Sequence, residues 1–425
     1  MTDKLKVAVI GGGAAGLLAA SQCAARGCDV TLYEKNQLLG KKLSITGKGR
    51  CNLTNHTSAD EFLANVCTNP KFLYSAIHTF GPDETMAYFE GLGVPLKTER
   101  GNRVFPVSDR AKDIVGALAQ QVRLNYVRVI HNKADRLEIE NQVLTGVRVG
   151  GQLHSYHRAI VCTGGLSYPG TGSTGDGFKF AEQAGLTVVP PAPSLVPIET
   201  EEAFVKLLMG LSLKNVGLRI EDTVTKKTVY EDFGELLFTH FGLSGPMILS
   251  ASCHISKIEK GRFRAFIDLK PALDEAMLHE RLLRDFTKYA NKNFVNSLDD
   301  LLPRKLIPVF TMLSGIAPEQ KVNSITREQR GHIVKLLKAL PFTLKRFRPL
   351  SEAIITSGGV AVSELNPKTM ESKKIKNLYF AGEVIDVDAY TGGFNLQIAF
   401  STAFLAAKAA SAHDMKDVEK GNSYD

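Results

Sequence analysis

The stretch Lys6-Val-Ala-Val-Ile-Gly-Gly-Gly-Ala-Ala-Gly16 decides the fold of this chain. Its apolar start predicts a β-strand, its glycines predict a tight turn, and the Ala- and Leu-rich run from Leu17 to Arg26 predicts a helix. A second strand follows at once over Asp29–Glu34. The first 34 residues therefore predict a complete βαβ unit.

The glycines of this unit have the spacing G-x-G-x-x-G between a strand and a helix. Gly11 permits the turn, Gly13 lets the backbone approach a pyrophosphate, and Gly16 lets the helix pack closely on the strand. Glu34 ends the second strand, where an acid accepts hydrogen bonds from ribose hydroxyls. The pattern predicts a dinucleotide site, but an NAD enzyme would share it.

Two segments near the carboxyl end favour FAD over NAD. Tyr379-Phe-Ala-Gly-Glu383 predicts a strand that runs into a Gly-acid turn, which in flavoproteins lies beside the ribityl chain and pyrophosphate. Thr391-Gly-Gly-Phe-Asn-Leu-Gln397 follows and opens a helix. Backbone N–H groups at such a helix start can face the flavin pyrimidine edge, where reduction builds negative charge.

The run Gly47-Lys-Gly-Arg-Cys-Asn-Leu-Thr-Asn55 resembles the G-x-G-R-C-N-x-T-N signature of the YhiN-like flavoproteins, a family that includes BaiN-type reductases and aminoacetone oxidases. The resemblance covers almost the whole chain through further blocks: Arg103–Pro106, Thr174–Gly177, Glu235–His240, Gly242–Pro246, Thr356–Val360 and Ala381–Gln397. It implies an α/β protein with a discontinuous Rossmann-type FAD-binding domain, an inserted β-barrel-like domain and a helical subdomain.

The expected domain boundaries follow from this resemblance and from the proline cluster at 190–193. The FAD domain comprises residues 1–192 and 350–425. The inserted domain comprises residues 193–349, of which 193–270 and roughly 341–349 are β-rich and 271–340 are helical.

The residues predicted to hold FAD non-covalently come from both ends of the chain. They are Gly11, Gly13, Ala14, Ala15, Gly16, Glu34, Lys35, Lys42, Gly47, Gly49, Arg50, Cys51, Ala134, Thr163, Gly164, Gly165, Asp176, Gly382, Glu383, Gly393, Phe394, Asn395, Leu396 and Gln397. The resemblance implies that Lys42, Gly49 to Cys51 and the block from Glu383 to Gln397 contact FAD.

Three residues are candidates for contacting substrate. The resemblance places the blocks of Arg103 and His240 around a cavity between domains, and Tyr390 directly precedes the flavin-facing glycines. Cys51 has no neighbouring cysteine in sequence, so we interpret it as a packing residue rather than a redox thiol. The sequence contains no Ser/His/Asp signature, no paired catalytic carboxylates and no metal-ligand cluster.

A second G-x-G-x-x-G run, Gly170 to Gly175, does not predict an NAD(P)H domain, because no strand ending in an acid follows it. NAD(P)H as a transient electron donor would have to visit the flavin face directly.

Composition restricts the partners and the compartment. None of the six cysteines forms a CxxC pair, and neither a signal segment nor a membrane-spanning apolar run is present, so we expect a cytoplasmic protein. The formal net charge is +8, but the basic pairs, such as Lys226-Lys227, are scattered. We therefore expect a small-molecule substrate and no nucleic-acid partner.

The sequence predicts an FAD-dependent oxidoreductase that exchanges a hydride between flavin N5 and a small organic substrate. Two mechanisms stay open, an NAD(P)H-linked reductase and an amine or aminoketone oxidase. The alternatives from other classes are an RNA-associated flavoprotein and a flavin-holding regulatory protein without turnover. Neither the substrate nor the oligomeric state can be read from the residues.

Overall fold

A computed structural model describes residues 4–255 and 257–412. The chain forms two compact units. The first comprises residues 1–194 and 350–425, and the second comprises residues 195–349.

The secondary-structure elements are numbered along the chain. The strands are β1 (Lys6–Ile10), β2 (Asp29–Tyr33), β3 (Thr54–Asn55), β4 (Leu96–Glu99), β5 (Arg103–Pro106), β6 (Arg128–Ile130), β7 (Ala134–Glu140), β8 (Val143–Val149), β9 (Gln152–Ser155), β10 (Arg158–Val161), β11 (Val188–Ser194), β12 (Ile198–Thr200), β13 (Ser212–Asp222), β14 (Thr228–Phe238), β15 (Gly242–Ser244), β16 (Phe263–Asp268), β17 (Leu340–Phe347), β18 (Ile355–Val360) and β19 (Leu378–Phe380). The α-helices are α1 (Ala14–Ala25), α2 (Ala59–Ala64), α3 (Tyr74–Thr79), α4 (Pro82–Gly91), α5 (Ala111–Leu124), α6 (Asp176–Gln183), α7 (Pro246–Ser252), α8 (Glu275–Lys288), α9 (Ile307–Ser314), α10 (Arg327–Lys338) and α11 (Phe394–Ala410).

The first unit is built on a parallel sheet with the strand order β19-β10-β1-β2-β6. Val7, Ala8 and Val9 of β1 are completely buried, as expected for a central strand covered on both faces. Helix α1 packs against α11, and the alanines of both helices allow close approach. Three smaller antiparallel sheets complete this unit, with the orders β3-β5-β4, β7-β8-β9 and β11-β18.

Helix α1 begins at Ala14, three residues before the predicted start at Leu17. The turn is correspondingly shorter, and Gly16 lies inside the helix rather than in the turn. This shift matters for the site because it brings the helix start to Gly13.

The second unit contains a closed six-stranded antiparallel barrel with the order β12-β15-β14-β13-β16-β17. Its interior is apolar and includes Leu218, Leu236, Ala265 and Phe342, all at most 1 % exposed. Helices α8, α9 and α10 pack beside it and share one hydrophobic core with the barrel. The predicted fold class, a Rossmann-type domain with a barrel and helices, is confirmed.

No helix among the residues that the structure describes has the length and apolar character needed to cross a membrane.

Candidate FAD site

The start of helix α1 offers an anion-binding surface. Gly13 precedes the helix with an extended backbone and no side-chain cap, and Leu17 N–H is the first to bond within the helix, to Gly13. The N–H groups of the first turn therefore lack partners inside the helix. A Cβ atom at Gly13 would meet nothing within 4 Å, so open space lies beside the helix start. A pyrophosphate fits this arrangement.

The other two glycines of the motif are needed for packing. Gly11 has φ +104°, and a Cβ there would lie 2.5 Å from the Cys162 carbonyl oxygen. A Cβ at Gly16 would lie 1.7 Å from the Gly11 carbonyl oxygen. Both positions exclude a side chain because helix, turn and strand β10 approach each other closely.

Glu34 lies directly after β2 with its carboxylate held in place. One oxygen accepts the Gly12 N–H at 2.7 Å, and the other accepts the N–H and the side-chain amide of Asn36. The residue is 8 % exposed. Because each carboxylate oxygen has two lone pairs, Oε2, which accepts only the Gly12 N–H, can still accept from a ribose hydroxyl.

Lys35 and Asp176 form an ion pair rather than two independent contacts. Lys35 Nζ lies 2.6 Å from Asp176 Oδ2, and Lys133 Nζ lies 3.0 Å from Oδ1. Burial opposes ionisation of Asp176, but the two lysines hold the pKa of its carboxyl below the ordinary value. The pair connects the end of β2 to the start of α6. Ala134, the next predicted residue, is buried at the start of β7.

Lys42 and Glu383 are the centre of a network of polar groups. Lys42 Nζ lies 2.6 Å from Glu383 Oε2 and donates to Ser167 Oγ at 2.7 Å. Glu383 Oε1 also accepts the Ser167 hydroxyl and the Thr356 N–H. A Cβ at Gly165 would meet Thr356 Oγ1 at 2.4 Å, so this glycine packs against the same network. Ser167 and Thr356 were missed as site residues because only the folded chain brings them to Glu383.

The loop from Gly47 to Cys51 has an unusual backbone. Gly47, Lys48, Gly49 and Cys51 all have positive φ, at +57°, +57°, +85° and +62°. Cys51 is fully buried, and burial raises the pKa of its thiol to about 12, which keeps it protonated at neutral pH. This environment supports interpretation of Cys51 as a packing residue.

Arg50, which was predicted to lie along FAD, has its guanidinium engaged elsewhere. It forms ion pairs with Glu99 and with Asp109, the latter at 2.6 Å, and lies over the Phe105 ring at 4.2 Å. These contacts connect the loop to the small sheet β3-β5-β4. Contact of Arg50 with FAD stays a prediction.

Two buried oxygens near these loops have no hydrogen-bond partner among the described residues. They are Asn52 Oδ1, directly after Cys51, and Thr163 Oγ1, directly after β10 and Cys162. Unpaired buried acceptors are rare. Ribityl hydroxyls and the flavin ring N–H are donors of the kind these oxygens lack, so the residues present fit FAD.

The segment from Gly382 to Gln397 returns the chain to the start of α1. A Cβ at Gly382, which has φ +79°, would lie 3.0 Å from the Ala15 Cβ. Gly393 has φ +101° and lies against the Thr54 carbonyl. The Asn395 side chain bonds the backbone of Ala389 and thereby fixes the intervening loop. Phe394 packs on Phe62, and Leu396 is half-buried on α11.

Gln397, which is predicted to belong to the FAD site, has its side chain in the core of the first unit. The residue is completely buried, and its amide nitrogen lies within 3.0 Å of the Phe80 carbonyl, Thr85 Oγ1 and Ser401 Oγ, which share its two N–H donors. Its oxygen accepts the Thr54 hydroxyl at 2.6 Å. The side-chain amide is therefore bonded within the unit, and any contact of Gln397 with FAD stays a prediction.

The three substrate candidates are distributed over both units. Arg103 is exposed at the start of β5, where its Nε donates to the Arg100 carbonyl. Tyr390 is half-buried in the same unit, and its N–H bonds the Asn65 carbonyl. His240 belongs to the second unit, is exposed, and lies edge-on to Phe241. Their contact with substrate stays a prediction.

With this Rossmann-type unit, the chain belongs to the class of flavin-dependent oxidoreductases. A family model described as HI0933-like protein Rossmann domain matches residues 5–409, and the chain belongs to this family. The resemblance to the YhiN-like flavoproteins is thereby confirmed.

Similar proteins include a 3-dehydro-bile acid delta(4,6)-reductase of Clostridium scindens, 29 % identical over 96 % of this chain and 99 % of the relative. A ribosomal RNA dihydrouridine synthase of Haemophilus influenzae is 30 % identical over 95 % of this chain and 98 % of the relative. Among solved structures, a 3-ketosteroid-delta4-(5alpha)-dehydrogenase from Rhodococcus jostii RHA1 shares the fold with a TM-score of 0.53 and 13 % identity, over 97 % of this chain and 98 % of that one.

Proposed function

We propose that this protein is a reductase that uses FAD and NAD(P)H to saturate a carbon–carbon double bond conjugated to a carbonyl group. The names of two similar proteins support this reaction type. A 3-dehydro bile acid with delta(4,6) unsaturation is a conjugated enone, and dihydrouridine is uridine reduced at the double bond conjugated with C4=O. Both reactions add a hydride and a proton to the same arrangement of atoms.

The observation that carries the proposal is the dinucleotide cradle of the first unit. Open space before Gly13, the fixed carboxylate of Glu34 and the unpaired oxygens of Asn52 and Thr163 are the groups that would hold FAD. Bound FAD would supply the hydride chemistry. The chain contributes orientation and charge through Lys42 and Glu383, which fix the Gly-acid turn.

The structure around the second G-x-G-x-x-G run argues against a separate nicotinamide-binding domain. NAD(P)H and the substrate would then share one binding place at the flavin. Residues 169–171 form a short 3-10 helix, and α6 follows from Asp176 without an intervening strand. Since this region is not a βαβ unit, it gives NAD(P)H no dedicated domain. NAD(P)H and the substrate then take turns at the flavin.

Flavin absorbance of the purified protein, measured without oxygen, tests the proposal. NADPH or NADH should bleach the oxidised flavin, and a conjugated enone should restore its colour, whereas the saturated ketone should not. Flavin that stays oxidised with both nicotinamides, but is bleached by an amine or aminoketone and recovers in air, would replace the reductase by the oxidase alternative.

RNA is a second candidate substrate, and two observations favour it. Two relatives at 30 % identity, from Haemophilus influenzae and Escherichia coli, are named ribosomal RNA dihydrouridine synthase. Residues 195–349 contain 24 Lys and Arg against 18 Asp and Glu, a formal excess of six of the eight positive charges of the chain. These observations argue against the expectation of no nucleic-acid partner. Reoxidation of the reduced flavin by uridine-containing rRNA, with formation of dihydrouridine, would support this candidate.

A further inference from the structure

Two loops lie together at one end of the barrel in the second unit. The first is the β13–β14 turn, residues 223–227, and the second is the segment 257–262 that precedes β16. The Thr223 N–H donates to the Arg262 carbonyl at 2.7 Å, and the Thr223 hydroxyl donates to the Gly261 carbonyl at 3.0 Å. We call this pair of loops the basic loop pair.

An internal carboxylate holds the basic loop pair together. Asp222 is 4 % exposed and accepts the N–H groups of Val224 and Thr225 as well as the Arg262 guanidinium, whose Nη2 lies 3.1 Å from Oδ2. Burial opposes ionisation of Asp222, but these donors hold the pKa of its carboxyl below the ordinary value. Asp222 therefore directs its charge at donors of its own loops. Residues 222–227 and 257–262 together contain five Lys and Arg against two Asp and Glu, a formal net charge of +3.

Four lysines of the basic loop pair project from its surface. Lys226 and Lys227 lie on the turn, and Lys257 and Lys260 lie on the second loop; all four are exposed, and none forms an ion pair with another described residue. Glu259, the acid between them, pairs with Arg262 at 3.4 Å. Val224, at the tip of the turn, is 74 % exposed.

The sequence alone concealed this cluster, because Lys226-Lys227 is separated by about thirty residues from Lys257 and Lys260. Four like charges on two joined loops repel each other unless a polyanion approaches them. Loops at the end of a small barrel can also follow a nucleic-acid backbone, as in oligonucleotide-binding barrels. Lysine ammonium groups are suited to contacts with phosphates, which position RNA without reading its sequence.

We propose that the basic loop pair binds the phosphodiester backbone of a folded RNA. This inference rests on the second candidate function, in which RNA carries the uridine to be reduced. Its role is to position the RNA, so the loops do not take part in flavin binding or in the reduction itself.

The test compares two variants of the full-length holoprotein that lose the same charge. The loop variant carries Lys226→Gln, Lys227→Gln, Lys257→Gln and Lys260→Gln. The control variant carries Lys206→Gln, Lys214→Gln, Lys335→Gln and Lys345→Gln, four exposed lysines elsewhere in the same unit that form no ion pair with described residues. Binding of an rRNA fragment is measured over a range of salt concentrations, together with flavin content and the reduction of a free enone.

The loop variant should bind RNA at least about tenfold more weakly, and the slope of log K against log salt should fall by about 3, because up to four phosphate contacts are lost. The control variant should change RNA affinity and its salt slope much less. Both variants should retain their flavin and their ability to reduce the enone. Equal losses in the two variants would overturn the assignment of these loops while leaving RNA as a substrate. Wild-type protein that binds phosphatidylserine vesicles but not RNA would also overturn it, whereas failure of both RNA binding and uridine reduction would remove the second candidate function itself.

Discussion

Lys42 and Glu383 are 341 positions apart in sequence, yet their side chains form an ion pair of 2.6 Å. The side chains are 22 % and 12 % exposed, so the pair is largely shielded from water. Ser167 and Thr356 bond the same carboxylate. The pair thus connects the loop after β2, the loop after β10, strand β18 and the Gly-acid turn after β19.

Replacing one partner of this ion pair should lower the unfolding free energy more than replacing both partners. Lys42→Met leaves a shielded carboxylate without its cation, and we expect a loss of about 2–3 kcal/mol in unfolding free energy and about tenfold weaker FAD binding. Adding Glu383→Gln should recover part of the stability, because no uncompensated charge remains. Denaturant unfolding of the two single variants and the double variant gives the coupling energy. Strictly additive losses would show that the pair is not coupled.

Two glycines of the G-x-G-x-x-G motif provide a matched pair of substitutions. Gly13→Ala places its Cβ in open space, at φ −83°, so the apoprotein should lose about 1 kcal/mol or less, whereas FAD binding should weaken more than tenfold because the methyl group occupies the space before the helix start. Gly16→Ala would put Cβ 1.7 Å from a carbonyl oxygen and should destabilise the fold by more than about 3 kcal/mol. The ratio of flavin to protein absorbance, with thermal unfolding of the apoproteins, separates the two effects. A Gly13→Ala protein that purifies with full flavin would contradict the pyrophosphate assignment.

Cys51 should be chemically inert in the folded protein. Since burial raises the pKa of its thiol to about 12, almost no thiolate is present at pH 8. Iodoacetamide at pH 8 should leave Cys51 unmodified for hours, whereas all six cysteines should react in denaturant. Mass spectrometry of the digested protein reports each site. Rapid alkylation of Cys51 in the folded state would contradict the packing interpretation and favour a redox thiol.

The local part of the fold could be predicted from the sequence, and the distant contacts could not. The glycine spacing and the strand ending in Glu34 determine the βαβ unit, because both patterns act within 34 residues. Arg50 was predicted beside FAD because of its motif, but its partners Glu99 and Asp109 are 49 and 59 positions away. The barrel was expected only through the family resemblance, since alternating strands do not determine which strands close a ring.

The bonds of Gln397 to residues distant in sequence could not be predicted either, and their contribution to stability can be tested. Its amide bonds Thr54 on β3 and Thr85 on α4, and it also lies against the Phe80 carbonyl and the Ser401 hydroxyl, which bond each other. Gln397→Leu should therefore lower the unfolding free energy by about 2–4 kcal/mol. Gln152→Leu, at an exposed position on β9, is the control and should have little effect. If Gln397→Leu removed flavin without destabilising the apoprotein, the side chain would contact the cofactor after all.

Asp386 should make stability depend on pH. Burial raises the pKa of its carboxyl, opposed by the Asn69 amide and reinforced by the charge of Asp388. The folded protein therefore binds this proton more tightly than the unfolded chain does, so the contribution of Asp386 to stability is present at acid pH and is lost as the pH rises through the raised pKa.

Asp386→Asn keeps this side chain neutral at every pH, and its oxygen can still accept from Asn69. Relative to wild type, the variant should gain thermal stability between pH 4 and pH 7.5. Asp135→Asn, an exposed control, should show no such gain. Asp388→Asn removes the neighbouring charge and should reduce the pH dependence that Asp386 causes. A difference in Tm between Asp386→Asn and wild type that is the same at both pH values would mean that Asp386 is ionised in the folded protein at pH 4 as well.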